Sequence, residues 1–258
     1  MLPVLLSTSS VFPEPVQGAF EIAANLGYDG MEVMVFTDPQ TQDAVALARL
    51  VEEYGVPVMS VHAPCLLVTQ RVWGRDPWVK VEKSVEMAQE LGAGVVVLHP
   101  AFRWQRAYAA DFVDRVNAMS RKSGIAIAVE NMFPWYIAGQ KVQGYLPHAQ
   151  QVGFDYRHTT LDLSHTSTSK IDALELMARL GSSLTHIHLA DGLGSTKDEH
   201  LPPGQGDQPC AEVLRRAVEI PSVKSVAVEV NTRYASDRNA RIETLRQTLS
   251  FAREHLGK

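Results

Sequence analysis

The sequence predicts a single (β/α)8 TIM barrel over residues 1–258, an α/β fold with its active site at the C-terminal ends of the strands. Three observations predict it. Short stretches rich in β-branched residues, VPVMSVH, GVVVLH, IAIAVE, TTLDLSH, LTHIHL and SVAVEV, carry almost no charge before their last residues, as strands buried on both faces should. Eight such strand candidates alternate with eight amphipathic stretches of helical period. Near the ends of seven successive apolar stretches stands a metal-type ligand: Glu32, His62, His99, Glu130, Asp162 with His165, His188, and Glu229.

The units follow one another in order. A strand at 3–7 leads to a helix at 14–26, closed by Gly27, and a strand at 30–36 to a helix at 40–54, closed by Gly55. The strand at 56–62 precedes a helix at 78–92 that Asp76-Pro77 opens and Gly92 ends. The strand at 94–99 is followed by a helix at 108–123 with Gly124 behind it. Strands at 125–130, 158–163, 184–189 and 224–230 pair with helices at 145–152, 169–180, 209–219 and 236–256. A doubly wound sheet would have fewer strands and an early phosphate-binding glycine turn, which is absent from the sequence. Alternation of side chains puts Ala126, Ala128 and Glu130 on one face and Ile125, Ile127 and Val129 on the other. Ala227 and Glu229 repeat the division against Val226, Val228 and Val230, so small or polar residues are expected inside and large aliphatic ones under the helices. The long connections, 63–77, 100–107, 131–144 and 190–208, all leave strand ends on the ligand side.

Composition narrows the function classes. The chain of 258 residues is 45% hydrophobic, enough for a full core, with no linker dividing it. A net charge of −5 disfavours a nucleic-acid footprint. Two cysteines, Cys65 and Cys210, are too few for a disulfide framework, and the N-terminus carries no basic region or long apolar run. A soluble, unprocessed, cytoplasmic protein with no membrane segment is expected. Nothing names a surface for self-association.

A buried carboxylate at the end of an apolar strand costs several kcal/mol unless it is paired or metal-bound, so its repetition at several strand ends needs a common cause. The strongest local signal is HIHLADGLGSTKDEHLPPGQGD, from His186 to Asp207, which joins His188 to an Asp198-x-His200 pair and a Gly-rich turn. With SVHAP at His62, DLSH at His165 and AVEVN at Glu229, the chain resembles, over essentially its whole length, the xylose isomerase-like TIM barrel superfamily. That superfamily includes sugar phosphate isomerases and epimerases and the endonuclease IV family (AP endonuclease family 2). The resemblance implies that Glu130, Asp162, His188 and Glu229 hold one divalent cation. Three carboxylates and an imidazole suit Mg²⁺, Mn²⁺ or Co²⁺, with Zn²⁺ possible; a buried ion-pair network is the alternative reading of the same four residues.

His165 matches a substrate contact in the epimerases and a metal ligand in the endonuclease IV family. His62, His99, Asp198 and His200 match that family's further ligands, which raises the expected metal count to three if the chain is of that type. In small-molecule members the same residues line the substrate pocket. Against the DNA enzymes, the loops 63–77 and 100–107 carry only Arg71, Arg75, Arg103 and Arg106, and NMFPWYIAG after Glu130 is bulky and apolar. Trp104, Trp135 and Tyr136 are candidates for a sugar-binding wall or for loop anchors. Arg103 and Lys197 are candidates for phosphate contacts or for solvated surface charges, and the Gly204-Gln205-Gly206 turn for an anion cradle. Glu32 is a candidate for a substrate contact or for bracing a ligand histidine, and His186 for core or support of His188. Cys65, without an activating base, reads as structural.

The expected function is a divalent-metal isomerase or epimerase of a sugar, sugar phosphate or polyol ketone, working through a metal-stabilised enediolate with Glu130 and Glu229 exchanging protons. The alternative is a multi-metal phosphodiester hydrolase of the endonuclease IV type. A dehydratase and a metal-stabilised binding protein complete the set.

Overall fold

The computed structural model describes residues 2–257. Eight parallel strands close into a barrel in chain order: β1 (Val4–Ser7), β2 (Gly30–Met34), β3 (Val58–His62), β4 (Val95–Leu98), β5 (Ala126–Glu130), β6 (Thr159–Asp162), β7 (Leu184–Leu189) and β8 (Ser225–Val228). The period-two division holds in three dimensions. Val95, Val97, Ala126 and Ala128 pack together as a small cluster inside the barrel. Ile127, Val129, Val226 and Val228 belong to the larger layer under the helices. Small interior residues leave room at the top of the barrel for the ligand side chains.

The helices are α1 (Val16–Leu26), α2 (Ala44–Tyr54), α3 (Pro77–Leu91), α4 (Arg106–Ala109), α5 (Phe112–Ser123), α6 (Leu163–Ser169), α7 (Ala173–Leu180), α8 (Cys210–Ala217) and α9 (Arg238–His255). Their ends follow the local chemistry. Asp43 and Asp172 accept hydrogen bonds from the first free amides of α2 and α7, and Asp76 does so for α3 with Pro77 behind it. Gly27, Gly55, Gly92 and Gly124 end α1, α2, α3 and α5 in the left-handed conformation.

Two expectations change. The helix expected at 145–152 does not form: Tyr145–Leu146 pairs antiparallel with Ala101–Phe102, Pro147 follows, and the connection after β5 also carries a hairpin of Trp135–Ile137 with Gln140–Val142. The apolar run there was a ribbon edge sealed by aromatics rather than a helix face. The helix expected at 169–180 starts later, as α7 at Ala173, because a separate short helix, α6, follows β6 directly and ends at the left-handed Lys170. No helix among the described residues is long and apolar enough to cross a membrane.

Candidate metal centre

Register brings the four candidate ligands together. Asp162 lies opposite His188 across β6 and β7, and Glu130 opposite Thr160 across β5 and β6. Glu229 follows β8 directly. Glu130 and Glu229 therefore bracket Asp162 and His188 along the barrel rim. His188 Nδ1 is 2.8 Å from Glu229 Oε2, 3.1 Å from Glu130 Oε1 and 3.5 Å from Asp162 Oδ2. One ligand atom from each of the four lies within 4.8 Å of the others, and all four residues are buried.

The backbone arrangement leaves particular atoms for a cation. Asp162 Oδ1 accepts the His165 amide at 2.6 Å as the cap of α6, while Asp162 Oδ2 is buried without a hydrogen-bond partner. Asn131 braces this strand end by donating to the Asp162 carbonyl and accepting from the Asp162 amide. Ser9 donates to Glu229 Oε1 at 3.0 Å, leaving Oε2 toward His188. Three carboxylates around one imidazole carry more negative charge than a protonated His188 neutralises, so the donor set fits a divalent cation.

Two further groups flank this one. His62 Nε2 and His99 Nε2 lie 3.5 and 2.9 Å from Glu130 Oε2. His165 Nε2 and His200 Nε2 lie 3.2 and 3.0 Å from Asp198 Oδ2, and Ser164 donates to Asp198 Oδ1 at 2.6 Å. Nδ1 of His62, His165 and His200 contacts the carbonyls of Ala63, Asn131 and Glu229 at 3.0, 2.8 and 2.6 Å. A carbonyl only accepts, so each Nδ1 carries a proton; without a cation Nε2–H faces the carboxylate cluster, and loss of that proton leaves the Nδ1–H ring with an Nε2 lone pair toward it. That is the tautomer a metal requires.

Electrostatics without a cation follow from the same contacts. Burial opposes the charge of Glu130, but His188, His99 and His165 outweigh it and hold the carboxyl well below its ordinary range. Burial likewise opposes protonation of His188, and Glu229, Glu32 and Glu130 overcome it, so its pKa stands well above the usual value. His200 is desolvated, yet Asp198 raises it to about 10. His99 is lowered, because desolvation there exceeds the pull of Glu130.

The profile of one protein family, described as "Xylose isomerase-like TIM barrel", matches residues 20–255. The chain belongs to this family. Within reach of the xylose isomerase-like barrels, an uncharacterized protein of Mycobacterium tuberculosis is 44% identical over 99% of this chain and 98% of its own. The fructoselysine 3-epimerase of Shigella flexneri is 20% identical, over 86% of this chain and 88% of that protein. A crystal structure of the IolI protein with a binding zinc atom superposes with a TM-score of 0.72 at 16% identity, covering 100% of both chains.

A cavity of about 450 Å³ opens above the xylose isomerase-like centre, lined on the protein side by His62, His99, Glu130, His165, Asp198, His200 and Glu229. Asp162 and His188 are fully buried beneath it. Its outer wall comes from Ser9, Phe12, Asn231 and Arg233, which the sequence did not single out, and from Met34 and Phe36. Phe36 and Met34 share the inward face of the second strand with Glu32, which was the available signal.

The five residues expected to contact substrate do not line this cavity. Glu32 lies fully buried below His188, its Oε2 2.9 Å from His186 Nε2 and 2.7 Å from Ser60 Oγ, with Oε1 3.1 Å from His188 Nε2. Its place is behind His188. Arg103 and Lys197 are exposed outside the cavity. Trp104 and Trp135 pack with Phe102 and Tyr145, centroids 4.8 to 5.8 Å apart along the chain of rings, and anchor the loops after β4 and β5. The Gly204-Gln205-Gly206 turn does cradle an anion, but the anion is the chain's own Asp191. Its Oδ2 accepts the amides of Gly204 and Gly206 at 2.9 and 3.0 Å, and its Oδ1 those of Gly192 and Gln208 at 2.8 and 2.9 Å. A Cβ at position 206 would overlap both that carboxylate and the Gly192 carbonyl, so only glycine closes the turn. Asp191 pins the loop that carries Asp198 and His200. Burial pushes the Cys65 thiol up to about 12, as befits a structural cysteine.

Proposed function

We propose that the chain is a divalent-metal isomerase or epimerase of a sugar, sugar phosphate or related polyol ketone. The observation that carries this reading is the division of labour in the centre: of the four converging ligands, Glu130 and Glu229 reach the cavity, whereas Asp162 and His188 form its floor. A cation held by the four would supply Lewis-acid polarisation of a carbonyl and its neighbouring hydroxyl, which acidifies the C–H between them. Glu130 and Glu229 stand on either side of that floor and are held ionised, Glu229 by His188 against the effect of burial. One takes the proton from the carbon and the other returns it on the opposite face. Ser9 orients Glu229, and Glu32 fixes the ring of His188. Phe12, Phe36 and Leu66 give the cavity an apolar wall against the C–H face of a sugar. The epimerase among the relatives and the zinc in the IolI structure agree with this reading. The test is incubation of the metal-loaded protein with a panel of ketoses in deuterated water; deuterium uptake at the carbon next to the carbonyl is expected, and its absence across the panel refutes the reading.

A second reading, phosphodiester hydrolysis by three metal ions, is favoured by the two flanking groups, His62 and His99 at Glu130 and His165 and His200 at Asp198. Elemental analysis after exposure to excess Zn²⁺ and Mn²⁺ separates the two: one tightly held ion per chain supports the isomerase, three make abasic DNA the next substrate to test.

A further inference from the structure

Beside the metal centre lies a second cavity of about 960 Å³, between the loops that follow β3 and β4, with His99 common to the linings of both. Five cationic side chains line it, Arg71, Arg75, Lys80, Arg106 and Arg115, against two carboxylates, Asp76 and Asp111. In a chain of net charge −5 this is a local reversal of sign. One carboxylate is already engaged, since Asp76 caps α3. Among the described residues Arg71, Arg75 and Arg106 make no ion pair, whereas Arg215 and Arg216 share Glu212 and Arg238 joins Glu14 and Glu21. Lys80 is buried and its ammonium donates to the Thr69 carbonyl at 2.6 Å, with no carboxylate beside it. Arg115 lies over Trp78, 4.1 Å from the ring centroid, and pairs with Glu82 at 3.3 Å. Four of the five cations, Arg71, Arg75, Lys80 and Arg106, thus have no ion-pair partner among the described residues, and donors left so around a recess bind anions by charge-assisted hydrogen bonds.

We infer that this cavity binds the phosphate monoester of a sugar phosphate whose reacting carbons lie over Glu130 and Glu229, reaching the centre past His99. The assignment rests on the isomerase reading and narrows it to phosphorylated substrates. Arg106, three residues beyond Arg103, takes the place that the sequence suggested for Arg103. Leu66 and Val68 line both cavities as His99 does, so the anionic end and the reacting end adjoin along this loop.

The test uses the metal-loaded full chain and three probes: inorganic phosphate, D-ribulose 5-phosphate and D-ribulose, titrated calorimetrically into the wild type, Arg75→Ala/Arg106→Ala and the control Arg103→Ala. Both arginines are exposed, so thermal melting is expected to match the wild type. The ketose phosphate should bind roughly tenfold or more tightly than D-ribulose, and the double variant should lose that preference and its inorganic phosphate binding while Arg103→Ala keeps both. Equal affinities for phosphorylated and neutral ketose in the wild type, or a preference that survives the double variant, overturn the inference. An abasic duplex that binds more tightly than the ketose phosphate and is lost in the same variant also overturns it, in favour of a phosphodiester backbone. Deuterium exchange is read on the same samples. Its absence with every ketose refutes the isomerase reading alone, because inorganic phosphate binding still decides the cavity.

Discussion

At the scale of single residues, the centre depends on which atom each side chain has left over after its local hydrogen bonds are made. Asp162 spends Oδ1 on the cap of α6 and keeps Oδ2 free, and Glu229 spends Oε1 on Ser9 and keeps Oε2 for His188. Glu229→Gln should therefore abolish solvent exchange of substrate protons while weakening metal binding only modestly; retained turnover would remove Glu229 from the proton transfer. Glu32→Gln acts at one remove. It loosens His188 and should lower metal affinity by roughly 10- to 100-fold, measured by competition with a chromogenic chelator. Asp191 has four backbone amides on its carboxylate, so Asp191→Ala leaves four amides without their acceptor, only that of Gly192 in a buried residue, and should cost roughly 2 kcal/mol in chemical denaturation.

At the scale of elements, the helices and strands whose signals were local came out where the sequence put them, because caps and left-handed glycines act within one turn. Asp172 illustrates the size of such a signal. Its side chain holds the amides of Leu174 and Glu175, and Asp172→Ala should lower stability by about 1 kcal/mol while leaving metal content unchanged. The failed helix at 145–152 had no such local mark. Its apolar residues follow no cap, and Tyr145 is claimed by a pairing with Phe102 more than forty residues away in sequence. Likewise the anion cradle at 204–206 was legible as a turn, but its occupant comes from the end of β7, which only the folded chain brings near.

At the scale of the whole molecule, the buried cluster ties stability to pH and to metal in opposite directions. The folded-state pKa of His200 stands near 10 against an ordinary 6.5, so without metal its contribution is complete below 6.5 and disappears as pH rises through 10. His188 is shifted upward as well, and a cation must displace its proton, so metal affinity falls as pH falls. The melting temperature of the metal-loaded chain minus that of the chelator-treated chain should therefore widen from pH 6.5 toward 10. A difference independent of pH would mean that no histidine proton is released on binding. Near neutrality, free metal at about one hundred times its dissociation constant should stabilise the fold by roughly 3 kcal/mol.

The sequence by itself determined the barrel, the inward and outward faces of its strands, and the list of side chains at the rim, because period, charge-free runs and strand ends are properties of neighbouring residues. Tertiary structure alone decided which of those side chains face the cavity and which lie beneath it. It moved Glu32 behind His188, turned Trp104 and Trp135 into loop anchors and gathered Arg71, Arg75, Arg106 and Arg115 around one recess. In sequence these arginines are scattered over two loops and a helix, too sparse to read as a charged surface. Closing the barrel places those segments side by side, and a local potential depends on distance in space rather than along the chain.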